Sequence, residues 1–133
     1  MHIISFLLSC SFLFLQIENK NIDEIVIKYV NYNVYTYQNI GCKEFENFSE
    51  KIKTINIKDK NEIDRLGRIV RKLTITKSNT PDVRVKIEFK HEKEIIKTIC
   101  MDRFSLEIDG ETHRYSQELF QYVEKIKKKY GNN

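Results

Sequence analysis

Alternating apolar and polar side chains between residues 83 and 108 constrain the fold of this chain most strongly. In "DVRVKIEF", Val83, Val85, Ile87 and Phe89 recur at every second position. Successive side chains of a strand point to opposite sides of a sheet. The pattern therefore predicts a strand with one buried face and one solvated face, which is typical of antiparallel sheets. Arg84, Lys86 and Glu88 are expected on the solvated face.

Short turn sequences separate this strand from those that follow it. The sequence "KHEK" predicts a turn, after which "EIIKTICM" returns as a second strand. Further on, Asp109 and Gly110 interrupt "FSLEIDGETHRY". An Asp-Gly pair favours the positive φ angles of a two-residue hairpin turn. Strands joined by such short turns must pair antiparallel.

Two segments have the spacing of amphipathic helices. Asp59 is expected to cap the first helix, with Glu62 three residues later as in a capping box. Ser116 is expected to cap the second helix. Apolar residues at helical spacing follow each cap: Ile63, Leu66, Ile69, Val70 and Leu73 in the first, and Leu119, Phe120, Val123, Ile126 and Tyr130 in the second.

The first half of the chain adds further strands. Residues 24–30 alternate, Ile55 and Ile57 mark a short strand, and 34–37 either continue the first strand or follow a turn at 31–33. "CKEFENFSEK" is expected to form a loop or a short helical turn. The predicted fold class is α+β, with an antiparallel sheet of about four to six strands and two amphipathic helices packed on one face.

An apolar run precedes this folded part. It extends over about 13 residues, the length of a signal-peptide core, whereas a membrane-spanning helix needs about 20. We therefore interpret 1–18 as a signal peptide or N-terminal apolar segment and 19–133 as a single α+β domain. Two alternatives stay open. "LLSC" resembles the lipobox of bacterial lipoproteins, which implies a lipid anchor at Cys10, and an uncleaved anchor or buried helix is the other.

The charge balance argues against a nucleic-acid binder. The chain has 23 basic and 19 acidic residues and a net charge of +4. Acidic residues are interspersed throughout, and the lysines of "KIKKKYGNN" suit the C-terminal end of a helix. No Gly-rich phosphate loop is present among four glycines. The sequence predicts no cofactor, no metal and no enzymatic activity.

Removal of the leader would take Cys10 away and leave Cys42 and Cys100 as an even pair. In an oxidising compartment they would form a disulfide that closes a loop of about 58 residues. Two separate buried thiols are the alternative, because the sequence does not give the distance between the Cα atoms.

Two groups of residues suggest chemistry, but each has a simpler explanation. Asp109, Glu111 and His113 would suit a divalent metal ion, although a turn and a solvated strand also explain them. Cys100, His113 and Asp102 would suit a nucleophile, base and orienting group. Cys100 also fits a small buried residue in an alternating strand. A small metal- or thiol-dependent enzyme is therefore an alternative function.

A cluster of tyrosines is the strongest candidate for a binding surface, since a tyrosine ring can bury area while its hydroxyl stays in water. The preferred hypothesis is a small exported, periplasmic or secreted protein that binds another protein or a glycan of the cell envelope, by the open sheet face or by strand addition at an edge. An intracellular immunity or adaptor protein is a further alternative. The candidate binding residues are Tyr29, Tyr32, Tyr35, Tyr37, Arg84 and Lys86.

Overall fold

Strands and helices follow one another in the predicted order in a computed structural model that describes residues 21–131. The predicted leader and Cys10 lie outside the described residues. The elements are β1 (Glu24–Tyr29), a 3-10 helix (Phe45–Lys51), β2 (Lys53–Ile57), α1 (Lys60–Arg71), β3 (Val85–His91), β4 (Glu94–Met101), β5 (Leu106–Ile108), β6 (Glu111–His113) and α2 (Gln117–Tyr130).

The six strands form one antiparallel sheet in the order β2-β1-β3-β4-β5-β6. This confirms the predicted α+β class. Strands β3 to β6 form a meander, because each is joined to the next by a short turn. Strands β1 and β2 extend the sheet on the far side of β3, so β1 and β3 are central neighbours that are distant in sequence.

Both predicted hairpin turns are present. Asp109 and Gly110 have φ angles of 49° and 84°, as the Asp-Gly signal predicts. At the other turn, Glu92 and Lys93 also have positive φ angles, 49° and 69°, without a glycine. The Asp23 carboxylate accepts a hydrogen bond of 2.8 Å from the Glu92 N–H, which helps to hold this less favourable backbone.

The two helices pack on the same face of the sheet, as predicted. The Asp59 and Ser116 side chains cap α1 and α2 by accepting hydrogen bonds from the Glu62 and Leu119 N–H groups. In α2, however, Tyr122 is buried and Tyr130 is exposed, so the predicted apolar stripe was wrong at its C-terminal end. This core joins Ile25, Ile27, Ile55, Ile57, Val85, Ile87, Phe89, Ile99 and Met101 of the sheet to Ile63, Leu66, Ile69, Val70, Leu119, Val123 and Ile126 of the helices.

The opposite face of the sheet is not open to solvent over its whole area, and this corrects the predicted solvated face. A second core forms there from Val30, Phe45, Val83 and Cys100. Val83 belongs to this core and not to the one that contains Val85, so the predicted alternation breaks just before β3. The 3-10 helix and the residues before it supply the cover.

Ion pairs occupy the remainder of this face. Lys28 Nζ lies 3.0 Å from the buried carboxylate of Glu88 and 3.3 Å from Glu46. Lys86 Nζ lies 3.2 Å from the same Glu46 oxygen. Glu46 therefore connects the 3-10 helix to two strands of the sheet. None of the helices in the described part of the chain has the length and apolar character needed to cross a membrane.

Candidate functional site

One end of the sheet carries three of the six large hydrophobic side chains that are exposed within residues 21–131. Strand β1 ends there, β3 begins, and β4 turns into β5. The long connection after β1, residues 30–44, is called the aromatic loop below. Tyr35 and Tyr37 in this loop are 81% and 97% exposed, and Phe104 in the β4–β5 turn is 81% exposed. Exposed aromatic side chains are enriched at binding surfaces.

The two exposed tyrosines form a pair. Their ring centroids are 5.7 Å apart and the ring planes meet at 76°, an edge-to-face arrangement. The Asn33 N–H donates to the Asn31 side chain at 2.9 Å, which closes a turn just before the pair. The local sequence thus turns the chain away from β1 and presents both rings to solvent.

Arg84 holds the base of the aromatic loop. Its side chain is buried, with Nη2 donating to the Val34 carbonyl at 3.0 Å and to Thr36 Oγ1 at 3.3 Å. Nη1 donates to the Asp82 carboxylate at 2.8 Å, and the guanidinium carbon lies 5.3 Å from the Phe48 ring centre. A planar guanidinium with several donors is suited to such a combination of partners.

A disulfide ties the end of the aromatic loop to the sheet. Cys42 and Cys100 are bonded, with their Cα atoms 5.7 Å apart. Cys100 is fully buried in β4, so the bond anchors the loop to a central part of the structure. Of the two alternatives that the sequence left open, the disulfide is the one present.

A shallow groove of about 250 Å³ lies beside the tyrosine pair. Val34, Ile40 and Phe48 contribute apolar surface to it, and Tyr35 borders it. Its polar lining comes from Thr36, Glu44, Asn47 and Lys51. The arrangement can accept a ligand that has both an apolar face and hydrogen-bonding groups.

The structure separates the six predicted binding residues into two groups. Tyr35 and Tyr37 are exposed, and nothing in the folded core requires them there. The other four are involved in packing. Arg84 holds the loop, and Lys86, with only 14% of its side chain exposed, pairs with Glu46.

The remaining two tyrosines pack against α2. Tyr29 is buried, and Lys127 Nζ lies 5.0 Å from its ring centre. Tyr32 lies between two cations, with Lys127 Nζ at 4.4 Å and Arg103 at 4.9 Å from its ring centre. Burial and the neighbouring Glu124 carboxylate raise the pKa of Tyr32 well above its usual range.

Phe104 belongs to the same exposed end but was not singled out in the sequence. It follows Asp102, whose carboxylate accepts hydrogen bonds from the Phe104 and Ser105 N–H groups. The signal that was available is an Asx-type turn with an apolar residue at its tip. A single phenylalanine between two strands can equally be a buried core residue, so the sequence did not show whether Phe104 is buried or exposed.

The thiol and imidazole of the alternative enzyme hypothesis do not meet. Leu106 in β5 is paired with Met101 in β4 on one side and with His113 in β6 on the other, so all three side chains lie on one face of the sheet. Met101 and Leu106 belong to the core under the helices, which identifies that face. Cys100 is one residue away from Met101 and faces the second core. Cys100 and His113 therefore lie on opposite faces of the sheet, and the Cys100 sulfur is in a disulfide.

Two of the three side chains considered for a divalent metal ion, those of Asp109 and His113, have hydrogen-bond partners within the protein. The Asp109 carboxylate accepts from the Thr98 N–H at 2.9 Å, and His113 Nδ1 lies 2.8 Å from the Glu111 carbonyl. Both acidic residues and His113 border an open depression of about 670 Å³, together with Arg71 and Lys97. Hydrogen bonds to the Thr98 N–H in β4 and to the Glu111 carbonyl therefore account for the orientations of Asp109 and His113.

Among the described residues, one group of metal-ligating side chains gathers its donor atoms within 4.8 Å: Cys42, Cys100 and Glu107. Both sulfurs are in the disulfide, and the thiolate is the form that binds metals. Burial raises the pKa of the Glu107 carboxyl group beside them. This group is therefore a disulfide with an adjacent, less readily ionised carboxyl.

Comparison with known proteins adds no assignment: no protein-family model, no curated protein and no solved structure matches this chain.

Proposed function

We propose that the protein is a small exported, non-catalytic binding protein that contacts its partner through the aromatic loop. The observation that carries this proposal is the pair Tyr35 and Tyr37. Both rings are almost fully in water, although the loop that bears them is anchored by Arg84 and by the Cys42–Cys100 disulfide. A rigid loop that presents aromatic rings loses little conformational entropy when it binds.

Two features support export. The first is the apolar segment at 1–18, which has the length and uncharged character of a signal-peptide core. The second is the disulfide, because such bonds persist in oxidising compartments and are rare in the cytosol. A periplasmic or secreted location satisfies both, and a lipid anchor at Cys10 is the alternative.

The proposed partner is another protein or a glycan of the cell envelope. Tyrosine rings can stack on the apolar face of a sugar or bury area against a protein while their hydroxyl groups remain hydrated. The adjacent groove adds a carboxylate, an amide and an ammonium group from Glu44, Asn47 and Lys51. These groups would give specificity to the contact.

The intact mass of the protein from its native cell fraction tests export. We expect a mass that corresponds to loss of about the first 18 residues, with two hydrogens fewer than the reduced chain. A chain with Met1 attached, recovered from the cytosol, would rule out the proposed location. A lipid-modified Cys10 would indicate that the protein is exported but anchored to a membrane, and not secreted.

Binding is tested with the purified chain on an array of envelope glycans and against fractionated envelope proteins. A ligand found in either should bind the Tyr35→Ala/Tyr37→Ala variant at least about tenfold more weakly, since aromatic anchors often contribute about 1.4 kcal/mol or more. Ile95→Ala removes an exposed apolar side chain from the opposite end of β4 and should bind like the unmodified chain. Equal loss in both variants, or no loss in the tyrosine variant, would contradict the proposal.

A further inference from the structure

The two edges of the sheet differ in what covers them. At the β6 edge, residues 74–76 run alongside the strand. The Arg114 N–H donates to the Thr74 carbonyl at 2.8 Å, and the Thr76 N–H donates to the Thr112 carbonyl at 3.1 Å. At the other edge, β2 pairs only with β1 within residues 21–131. The outer side of β2 is therefore the open edge of the described sheet.

The register shows which β2 groups point outward. Residues on a strand between two antiparallel neighbours bond alternately to one neighbour and to the other. The Val30 N–H donates to the Arg84 carbonyl of the β3 side, so even-numbered residues of β1 pair with β3 and odd-numbered residues pair with β2. Residues 53, 55 and 57 of β2 thus bond to β1. The N–H and C=O groups of Thr54 and Asn56 point away from the sheet.

Positive charge lines this open edge. Lys51, Lys53, Lys58 and Lys60 are all exposed along and beside β2. Asp59, which lies between Lys58 and Lys60 in the sequence, uses its carboxylate to cap α1. Lys58 Nζ lies 3.6 Å from a carboxylate oxygen of Glu24 in β1, so Lys51, Lys53 and Lys60 contribute most of the positive charge. We call this surface, the outer side of β2 with its four lysines, the lysine edge.

We propose that the lysine edge binds an extended, acidic segment of another polypeptide, which adds as a seventh strand beside β2. The Thr54 and Asn56 backbone groups would supply the hydrogen bonds of strand addition. The lysines would select acidic side chains, since opposite charges on neighbouring strands attract. They also disfavour a second copy of this chain, because two lysine edges would repel each other.

Lys51 also borders the groove beside the aromatic loop, but the backbone groups of Thr54 and Asn56 that would bind the added strand are not part of that groove. The inference therefore does not depend on the proposed function. Its test uses a defined probe: a synthetic peptide of about ten residues in which Glu alternates with Val and Thr, a typical strand length and pattern. A peptide with Lys in place of each Glu is the charge control. The protein is isotope-labelled, purified from the cells that express it and used in that form. It is titrated with each peptide, and the exchange of its backbone amides is followed.

We expect saturable binding of the acidic peptide only. At a peptide concentration about ten times Kd, only about one tenth of the protein is free. Exchange of the Thr54 and Asn56 amides should therefore slow about tenfold, because these amides exchange in the free protein. Equal exchange with and without the peptide would overturn the proposal. So would equal binding of the lysine peptide, or protection of these amides by raising the protein concentration alone, which would indicate self-association.

Two substitutions with matched controls locate the contact. Thr54→Pro removes an outward N–H without removing a bond to β1 and should weaken binding about tenfold or more, whereas Thr54→Val should not. Lys53→Glu should weaken it about threefold to tenfold, whereas Lys77→Glu, an exposed lysine outside the edge, should change it by less than about twofold. If Thr54→Pro does not fold, the comparison of Lys53→Glu with Lys77→Glu and the amide exchange test the proposal. Unchanged affinity in Lys53→Glu would contradict it.

Discussion

Arg84 illustrates how a single residue can have a different role from the one its local pattern suggests. Alternation with Val83 and Val85 predicts an exposed side chain. The side chain is instead buried, and its guanidinium reaches acceptors on residues 34, 36 and 82. A buried charge needs such partners to offset the loss of water. These contacts hold the base of the aromatic loop in place.

Substitution of Arg84 by alanine should destabilise the fold. The change removes charge-assisted hydrogen bonds and leaves the Val34 carbonyl without its donor, so we expect a loss of about 2–3 kcal/mol in the free energy of unfolding. Urea denaturation measures it. Arg114→Ala is the control, because that exposed side chain should contribute less than about 0.5 kcal/mol. Equal losses in both variants would contradict the assigned role.

Glu46 gives a prediction for pH dependence. Burial opposes its ionisation, but hydrogen bonds and attraction from Lys86 and Lys28 outweigh burial, so the pKa of Glu46 lies below its usual value. A carboxyl with a lowered pKa in the folded state contributes stability above its unfolded pKa of about 4.3, and this is lost as the pH falls through the folded pKa. About half of the side chain is exposed, which limits the contribution to less than about 1 kcal/mol.

We therefore expect Glu46→Gln to be slightly less stable than the unmodified chain at pH 7, and the difference to shrink as the pH falls below about 4.3 and through the lowered pKa of the folded state. Urea unfolding at a series of pH values shows whether the difference between the two proteins disappears in the acid. A difference that stays constant over this range would mean that the ion pairs with Lys28 and Lys86 are not its source.

At the scale of the elements, short-range signals placed the turns and helix caps correctly. Asp109–Gly110, Asp59 and Ser116 act as the sequence predicts because each effect depends on neighbours only a few residues away. The tyrosine alternation in 34–37 does not continue β1 as a strand. Alternation shows that a segment can form a strand, but a strand also needs a neighbour to pair with, and β2 and β3 already occupy both sides of β1.

The Glu92–Lys93 turn offers a gain in stability. Lys93 has a φ angle of 69°, a conformation that glycine adopts without the steric cost of a Cβ atom. We expect Lys93→Gly to raise the free energy of unfolding by up to about 1 kcal/mol in thermal or urea denaturation. Lys97→Gly, within β4, should lower it by about 0.5–1 kcal/mol. The same sign for both variants would contradict this interpretation of the turn.

At the scale of the whole molecule, the disulfide joins parts of the chain that are 58 residues apart. It connects the aromatic loop to β4 and closes the second core around Phe45 and Val83. A cross-link over such a long loop restricts the unfolded chain more than the folded one, which stabilises the fold by about 4 kcal/mol in the chain-entropy description.

The Cys42→Ser/Cys100→Ser variant should therefore unfold at a clearly lower urea concentration, and a thiol reductant should lower the midpoint of the unmodified chain but not that of the variant. In the variant the aromatic loop loses one of its two anchors. We therefore also expect amide exchange in 30–44 to be faster than in the unmodified chain, with a smaller change in β1. A reductant without effect on the unmodified chain would show that the bond contributes no stability.

The amino-acid sequence by itself determined the α+β class, the order of the strands and helices, the caps and the hairpin turns. All of these follow from periodicity and from contacts between residues close in the chain. Only the tertiary structure decided that Cys42 and Cys100 meet, that the 3-10 helix covers the second face of the sheet, that Arg84 is buried, and that Tyr35, Tyr37 and Phe104 remain exposed. These features depend on contacts between residues far apart in sequence. A local sequence pattern does not show which distant segment of the chain will pack against it.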